Sequence, residues 1–425
     1  MSSNSERANR VLQFFNTVNP EQLILDIKTK TPNSLLNGRF PLEGKNTSEG
    51  TIKRLEYLKE KGKTFNYLTG EQKFTDVESL QGNIENYIGM SMIPTGIVGP
   101  LNVVGTVAKG DFYVPLATSE GALIASYDRG ARASRMAGGI TSICLVEGVQ
   151  RSPVFKFKDL ADLGQFLMWV LPQLEKYKEI TAQNSRYAQL VDMRSNIEGN
   201  HLILTFEYLT GDAAGQNMVT ICTDAICKYI VENSPMKPIF WFIESNYSGD
   251  KKATALSFTT VRGKKVAAEV VIPKNIVESV LKTNSQAMVD YWQSSTLGVI
   301  QSGAIGAQGH VANGLCALFI ATGQDVACIA EAAVGITRME ITDDGGLYAS
   351  VTLPNLIVGT VGGGTGLPTQ RECLELMDCY GPGNARKFAE VCGALALAGE
   401  LSIAAALSAG HFSAAHKKFG RKHSK

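Results

Sequence analysis

The chain has 425 residues, 44% hydrophobic and 19% charged, with 41 basic and 40 acidic side chains and a formal net charge of +1. That length allows two or three domains with a sizeable core, and the composition excludes a disordered polyampholyte. The charge balance leaves no global field for nucleic acid or an anionic membrane, so any polyanion must be bound locally.

The first twenty residues hold one short apolar stretch, Val11 to Phe15, too short for the apolar region of a signal peptide, and a cytoplasmic location is expected. Residues 1–83 are polar and broken by Pro20, Pro32 and Pro41, with one charged helix expected from Thr51 to Lys61, which predicts a small helical N-terminal domain. At Glu85 the texture changes to ENYIGMSMIPTGIVGPLNVVG, where glycine, proline and β-branched residues predict short strands and tight turns. This opens a large domain formed by residues 84–152 and 254–425.

Residues 153–243 read as an insert. The pattern gives a strand (Val154 to Phe157), a helix (Asp159 to Lys176), two strands (Tyr187 to Arg194 and Leu202 to Tyr208), a helix (Asn217 to Glu232) and a strand (Ile239 to Ile243). That βαββαβ order is the ferredoxin-like, split βαβ arrangement. Residues 244–253 connect it to the glycine- and alanine-rich helices that follow. The expected fold class is α+β: a large helix-rich mixed domain with the ferredoxin-like insert and the small N-terminal domain. The apolar runs from Gly314 to Ile336 and from Gly393 to Gly410 are interrupted by Asp325, Glu331 and Glu400, so both read as buried helices and no membrane partner is expected.

Several segments carry candidate chemistry. In VPLATSEGALIASYDRGARASRMAGG, Thr118 is expected to cap a helix with Glu120 in its first turn, where the helix dipole favours a carboxylate. Asp325, just past Gly323 and among apolar residues, requires a cationic partner. Lys251 and Lys252, beside Asp250 in the turn SNYSGDKKATALSF, are the candidates. Two segments, YLTGDAAGQNMVTICTDAICKYI and LIVGTVGGGTGLPTQRECLELM, run from strand through glycine turn to helix, so their free amides suit an anion. Neither has the spacing of a Rossmann fingerprint. The eight cysteines include no C-x-x-C pair, and His411 and His416 stand five apart with no H-E-x-x-H, so no metal is expected. The basic stretch HKKFGRKHSK is a solvated tail or, beside a polyanionic ligand, a flap.

Taken together, ENYIGMSMIPTGIVGP, PLATSEGALIAS, the RSP at Arg151, SRYAQL, GDAAGQNM, NYSGDKK, GHVANG, GQDVA, GTVGGGT and AGHFSAAH occur in one order over residues 84–418. In that order they resemble the catalytic portion of the 3-hydroxy-3-methylglutaryl-coenzyme A reductase family, its class I form more than its class II form. The resemblance implies a four-electron reduction of a coenzyme A thioester to mevalonate by two NADPH. It places the catalytic roles on Glu120, Lys251, Asp325 and His416. Lys251 would hold the oxyanion, Asp325 would keep Lys251 charged and bridge it to a protonated Glu120, and His416 would protonate the leaving thiolate.

The same resemblance puts substrate contacts on Arg151, Asp250, Lys252, Lys282, His310 and Asn313, with Ser126 and Arg129 on the coenzyme A side. It puts cofactor contacts on Ser185, Arg186, Asp212, Gly215, Gln216, Asn217, Gly362, Gly363, Gly364 and Thr365. It implies at least a homodimer with shared active sites, so that Lys251→Ala and Asp325→Ala proteins are expected to complement each other. Departures from the family pattern fall at Glu244, an acid in place of a substrate-contacting serine, and at Asp128, Ala214, Gln216, Ala332 and Ala333. Lys422 stands where animal and plant forms carry a phosphorylatable serine, so that control is not expected. A reductase of another acyl-coenzyme A and a non-catalytic coenzyme A-binding homologue are the alternatives.

Overall fold

The computed structural model describes residues 46–410, together with residues 8, 9, 12, 19–28, 30, 32, 40 and 41. Its strands are β1 (Thr95–Gly105), β2 (Lys109–Ala117), β3 (Ile140–Arg151), β4 (Val154–Lys156), β5 (Gln189–Glu198), β6 (His201–Leu209), β7 (Phe240–Phe242), β8 (Gly263–Ile272), β9 (Ile336–Ile341) and β10 (Leu347–Leu356). Hydrogen bonding links them in the order β7-β4-β6-β3-β8-β10-β9, with β1 on β2 and β3, and β5 on β6. The longer helices are α1 (Pro20–Lys28), α2 (Ser48–Glu60), α3 (Leu123–Met136), α4 (Leu160–Val170), α5 (Leu174–Asn184), α6 (Gln216–Asn233), α7 (Ser285–Ser302), α8 (Val311–Thr322), α9 (Pro368–Leu376) and α10 (Ala385–Ser408).

One strand joins two layers. The first part of β3, Thr141 to Gly148, pairs antiparallel with β8, while Val149, Gln150 and Arg151 pair with β6. Arg151 therefore emerges where the layers meet. Beyond it, β4, β5, β6 and β7 with the intervening helices follow the order βαββαβ, every neighbouring pair is antiparallel, and the strands lie fourth, first, third, second. Phe155, Phe166, Tyr177, Phe206, Tyr208 and Ile226 form the core of this layer. The single helix expected from Asp159 is two, α4 and α5, separated by the 3-10 turn Leu171–Gln173. Pro172 supplies no N–H and cannot continue the α-helical ladder.

The larger core lies between the β1, β3, β8 and β10 sheet and the helices α3, α8 and α10, with Val103, Tyr127, Val266, Val351, Leu318 and Leu395 among its buried residues. Helix α10 is long and apolar enough to cross a membrane, yet most of it is buried inside the protein. Two buried carboxylates on it serve as anchors. Glu390 accepts hydrogen bonds from the N–H groups of Thr106 (3.2 Å), Val107 (3.0 Å), Ala108 (2.8 Å) and Cys144 (3.3 Å), holding the β1–β2 turn against the helix. Glu390→Ala strands these buried donors, and we expect a loss of about 3–5 kcal/mol, read as a lower chemical-denaturation midpoint.

Ahead of β1, residues 84–94 have no regular structure and carry exposed Ile84, Ile88, Met90, Met92 and Ile93. The segment before them packs on the body: the Glu372 carboxylate accepts from the N–H groups of Asn66, Tyr67 and Leu68, and the Tyr57 and Tyr113 hydroxyls lie 2.7 Å apart.

Candidate active site

Three glycine-bearing loops converge. A Cβ on Gly323 would stand 2.2 Å from the carbonyl oxygen of Gly364, so only glycine lets the loop before Asp325 rest on the loop after β10. Gly359 packs as tightly on the Asp212–Ala214 backbone, where its Cβ would stand 2.6 Å from the Ala214 nitrogen. Gln324 Oε1 accepts from the Gly359 N–H at 2.9 Å, and the Thr360 N–H donates to the Asp212 carbonyl at 2.8 Å. At the start of α6, Gln216 Nε2 reaches Cys328 Sγ at 2.9 Å, closing the circle.

At this junction Lys251 Nζ pairs with Asp325 Oδ2 at 2.8 Å, with both side chains about two-fifths exposed (42% and 40%). Asp325 Oδ1 also caps the following turn by accepting the Ala327 N–H at 3.0 Å. The Asp325 hydrogen bond raises the Lys251 pKa. Burial alone would raise the Asp325 carboxyl, but the Lys251 hydrogen bond and charge override it and hold the carboxyl below its ordinary value. Lys251 also takes an uncommon left-handed backbone, with φ 56°.

Glu120 sits elsewhere in the chain's geometry. Helix α3 begins at Leu123, after Ala122 with φ 72°, so Glu120 lies in the turn before the helix and not in its first turn. The reason is local: Thr118 Oγ1 accepts the Glu120 N–H at 3.0 Å, closing a tight turn that the left-handed Ala122 must then reverse. Glu120 Oε2 accepts from Asn313 Nδ2 at 2.9 Å. Among the described residues Lys251 pairs with Asp325, and no ion pair joins it to Glu120. His416 lies outside the described residues.

A charged network runs beneath the Lys251 turn. Arg151 Nη1 donates to Glu244 Oε2 (3.1 Å) and Asp250 Oδ2 (3.2 Å), so the acid expected to oppose an anionic substrate is neutralised by an arginine. Asp250 also accepts from Arg262 Nη2, and Arg262 Nε donates to Glu331 Oε2 at 2.8 Å. Burial pushes the Glu331 carboxyl up to about 7, with Arg262 pulling the other way. Lys252 Nζ bonds the Asp250 carbonyl at 2.9 Å, and exposed Lys282 has φ 62°.

On the α3 side, Ser126 Oγ lies 3.4 Å from His310 Nε2 and 3.0 Å from Ser402 Oγ, while Arg129 donates to the Ser402 carbonyl (2.6 Å) and hydroxyl. Glu400 fixes His310 by accepting the N–H groups of Gly309 (2.7 Å) and His310 (2.8 Å). Burial would raise the Glu400 carboxyl, and the His310 hydrogen bonds and charge bring it below its ordinary value.

The expected cofactor residues fall into two groups. Gly215 (φ 78°), Gln216, Asn217, Gly362, Gly363, Gly364 and Thr365 line the converging loops, and Thr365 Oγ1 donates to the Gly362 carbonyl at 2.7 Å. Ser185 ends α5, its hydroxyl accepting the Ala188 N–H at 3.0 Å, with Arg186 exposed beside it. Asp212 is committed to structure: its carboxylate accepts the Gly383 and Ala385 N–H groups at 2.8 and 3.0 Å, capping α10. Arg262, Glu331 and Glu400 are the residues that sequence reasoning did not select. Glu331 and Glu400 had a visible signal, a carboxylate inside an apolar run, whereas Arg262 in TTVRGKKV had none.

A βαββαβ layer set on a helix-packed sheet, with a lysine–carboxylate pair where loops of both meet, defines the class of α+β protein. The chain belongs to the hydroxymethylglutaryl-coenzyme A reductase family, whose model, described as "Hydroxymethylglutaryl-coenzyme A reductase", matches residues 50–421. It is 44% identical over 352 residues to a 3-hydroxy-3-methylglutaryl-coenzyme A reductase of Pyrococcus horikoshii, covering 81% of this chain and 85% of that protein. It is 40% identical over 401 residues to the Aeropyrum pernix protein of the same name, covering 91% and 93%. The fold is similar to that of the class II reductase from Streptococcus pneumoniae solved with NADPH in open conformations, with TM-score 0.68 at 19% identity, covering 84% of this chain and 96% of that one.

Proposed function

We propose that the chain reduces the thioester of 3-hydroxy-3-methylglutaryl-coenzyme A to the alcohol, releasing mevalonate and coenzyme A and consuming two NADPH. The Lys251–Asp325 pair carries this reading. Lys251 Nζ donates to the carbonyl oxygen and stabilises the negative charge that develops there, a task suited to an ammonium kept charged and oriented by a carboxylate at 2.8 Å. Glu120, oriented by Asn313, gives a proton to the oxygen at the aldehyde stage. His416 supplies the proton to the departing thiolate, a task suited to an imidazole.

NADPH supplies the hydrides. Gly362 and Gly363 have positive φ and open space where a Cβ would stand, which fits an approaching phosphate, as do the free amides at the start of α6. We assign the nucleotide to the insert of residues 153–243 and these loops, with Ser185 and the Arg186 guanidinium on the 2′-phosphate. Asp212, whose carboxylate also caps α10, lies on the same loop as Gly215 and is assigned to the nucleotide with it. Lys252, Lys282 and Arg151 face the glutaryl carboxylate, and Ser126, Arg129 and His310 the coenzyme A. The active enzyme is a cytoplasmic homodimer whose apolar segment 84–93 is covered by the partner, bringing the Glu120–Asn313 half of the site from one protomer to the Lys251–Asp325 half of the other.

The test is stoichiometric: with 3-hydroxy-3-methylglutaryl-coenzyme A, two NADPH are oxidised for each thiol released. A one-to-one ratio, or oxidation without thiol release, contradicts the reading. The grip of Glu244 on Arg151 favours one second reading, an acyl group without the free carboxylate, which would show as a higher kcat/KM for such a thioester.

A further inference from the structure

The pair under the Lys251 turn has no part in the roles above. Arg262, just ahead of β8, and Glu331, on the short helix Ile329–Ala332, have side chains 2% and 0% exposed. Every arm of the pair is used. Arg262 Nε holds Glu331 Oε2 at 2.8 Å, Nη1 holds the Gln150 carbonyl at 3.0 Å, Nη2 holds the Asp250 carboxylate, and the Arg262 N–H bonds Asn355 Oδ1 at 3.0 Å. The remaining Glu331 oxygen, Oε1, accepts the backbone N–H of Lys251 at 3.0 Å.

A buried arginine–glutamate pair is a poor source of stability compared with apolar side chains of the same volume. A left-handed backbone at a residue with a side chain persists only where its surroundings hold it. Both oddities meet at one amide. We propose that Glu331 and Arg262 form a positioning pair for Lys251, Glu331 pinning its backbone N–H and Arg262 pinning the adjacent Asp250, so that the ammonium meets Asp325 in a single place. The inference rests on the reading of Lys251 as the reacting ammonium. Neither residue touches the substrate.

The test compares Glu331→Ala, Glu331→Gln and Lys251→Ala proteins by kcat and KM, each normalised to sites that bind NADPH. Displacing a catalytic group by about an ångström costs on the order of 100-fold, so Glu331→Ala is expected to lower kcat about 10- to 100-fold with both KM values within about threefold of the parent. Glu331→Gln keeps an oxygen for the Lys251 N–H and is expected to recover about tenfold of that loss. In a Lys251→Ala background, Glu331→Ala is expected to cause no further fall. Near-parental kcat in Glu331→Ala, or the same loss with and without Lys251, overturns the proposal. In the unmodified protein the Lys251 amide is expected to exchange with deuterium at least about 100-fold more slowly than a free peptide, although it lies in a turn. Exchange at the free rate overturns the proposal even where the variants do not fold. Full activity of Lys251→Ala would instead defeat the reading of Lys251 itself.

Discussion

Lys251→Ala is expected to lower kcat for 3-hydroxy-3-methylglutaryl-coenzyme A about 10³-fold while leaving the thermal midpoint and NADPH binding close to the parent. The large effect follows from chemistry: no other described cation pairs with Asp325, so removing the ammonium leaves the developing oxyanion facing a carboxylate. The small effect on stability follows from exposure. Both partners are about two-fifths exposed (42% and 40%), and an ion pair so open to water contributes about 0–1 kcal/mol. Asp325→Asn should fall between the variant and the parent, since it keeps the shape of the pair and loses its charge. The Lys251 pKa is raised and the Asp325 pKa lowered, so both stay ionised across neutral pH. A bell-shaped pH profile near neutrality must therefore come from other groups, and among the described ones the Glu331 carboxyl, which burial pushes up to about 7, titrates in that range. Single-turnover NADPH oxidation with parallel thermal scans checks all of this; a variant that loses stability and activity together would mark Lys251 as structural.

The βαββαβ layer was legible because its strands alternate and its helices do not, and those periods survive whatever the layer packs against. Asp325 was legible for a different reason: a carboxylate among apolar residues demands a cation, and a Lys-Lys turn offered one. The break at Pro172 was present in the sequence as a missing N–H. Glu120 lies one turn ahead of its expected place in the helix because the reversal at Ala122 needs a left-handed alanine, which no residue preference announces. The contacts that the sequence does not announce are long-range. Asp212 caps a helix that starts 173 residues later, Glu244 neutralises Arg151 from 93 residues away, and Glu331 reaches back 80 residues to the Lys251 amide. Such partners are set by how the β3 junction folds the loops together, and spacing along the chain does not encode them.

The same geometry changes which inactive proteins should rescue one another. Lys251 and Asp325 meet within one chain, so mixing Lys251→Ala with Asp325→Ala protein leaves every site lacking one partner of the pair, and complementation between those two is not expected. Glu120 is bonded to Asn313 and not to Lys251 within the chain, so in the proposed homodimer the division of the site is expected between these halves. The decisive measurement mixes Lys251→Ala with Glu120→Ala protein after subunit exchange has been verified by native mass spectrometry. In a two-fold dimer half of the mixed molecules are heterodimers with one intact site each, and about a quarter of parental activity should return. Return of activity in this mixture, and none in the Lys251→Ala and Asp325→Ala mixture, is the predicted result; no return after complete exchange would contradict a site built from the Lys251–Asp325 half of one protomer and the Glu120 half of the other.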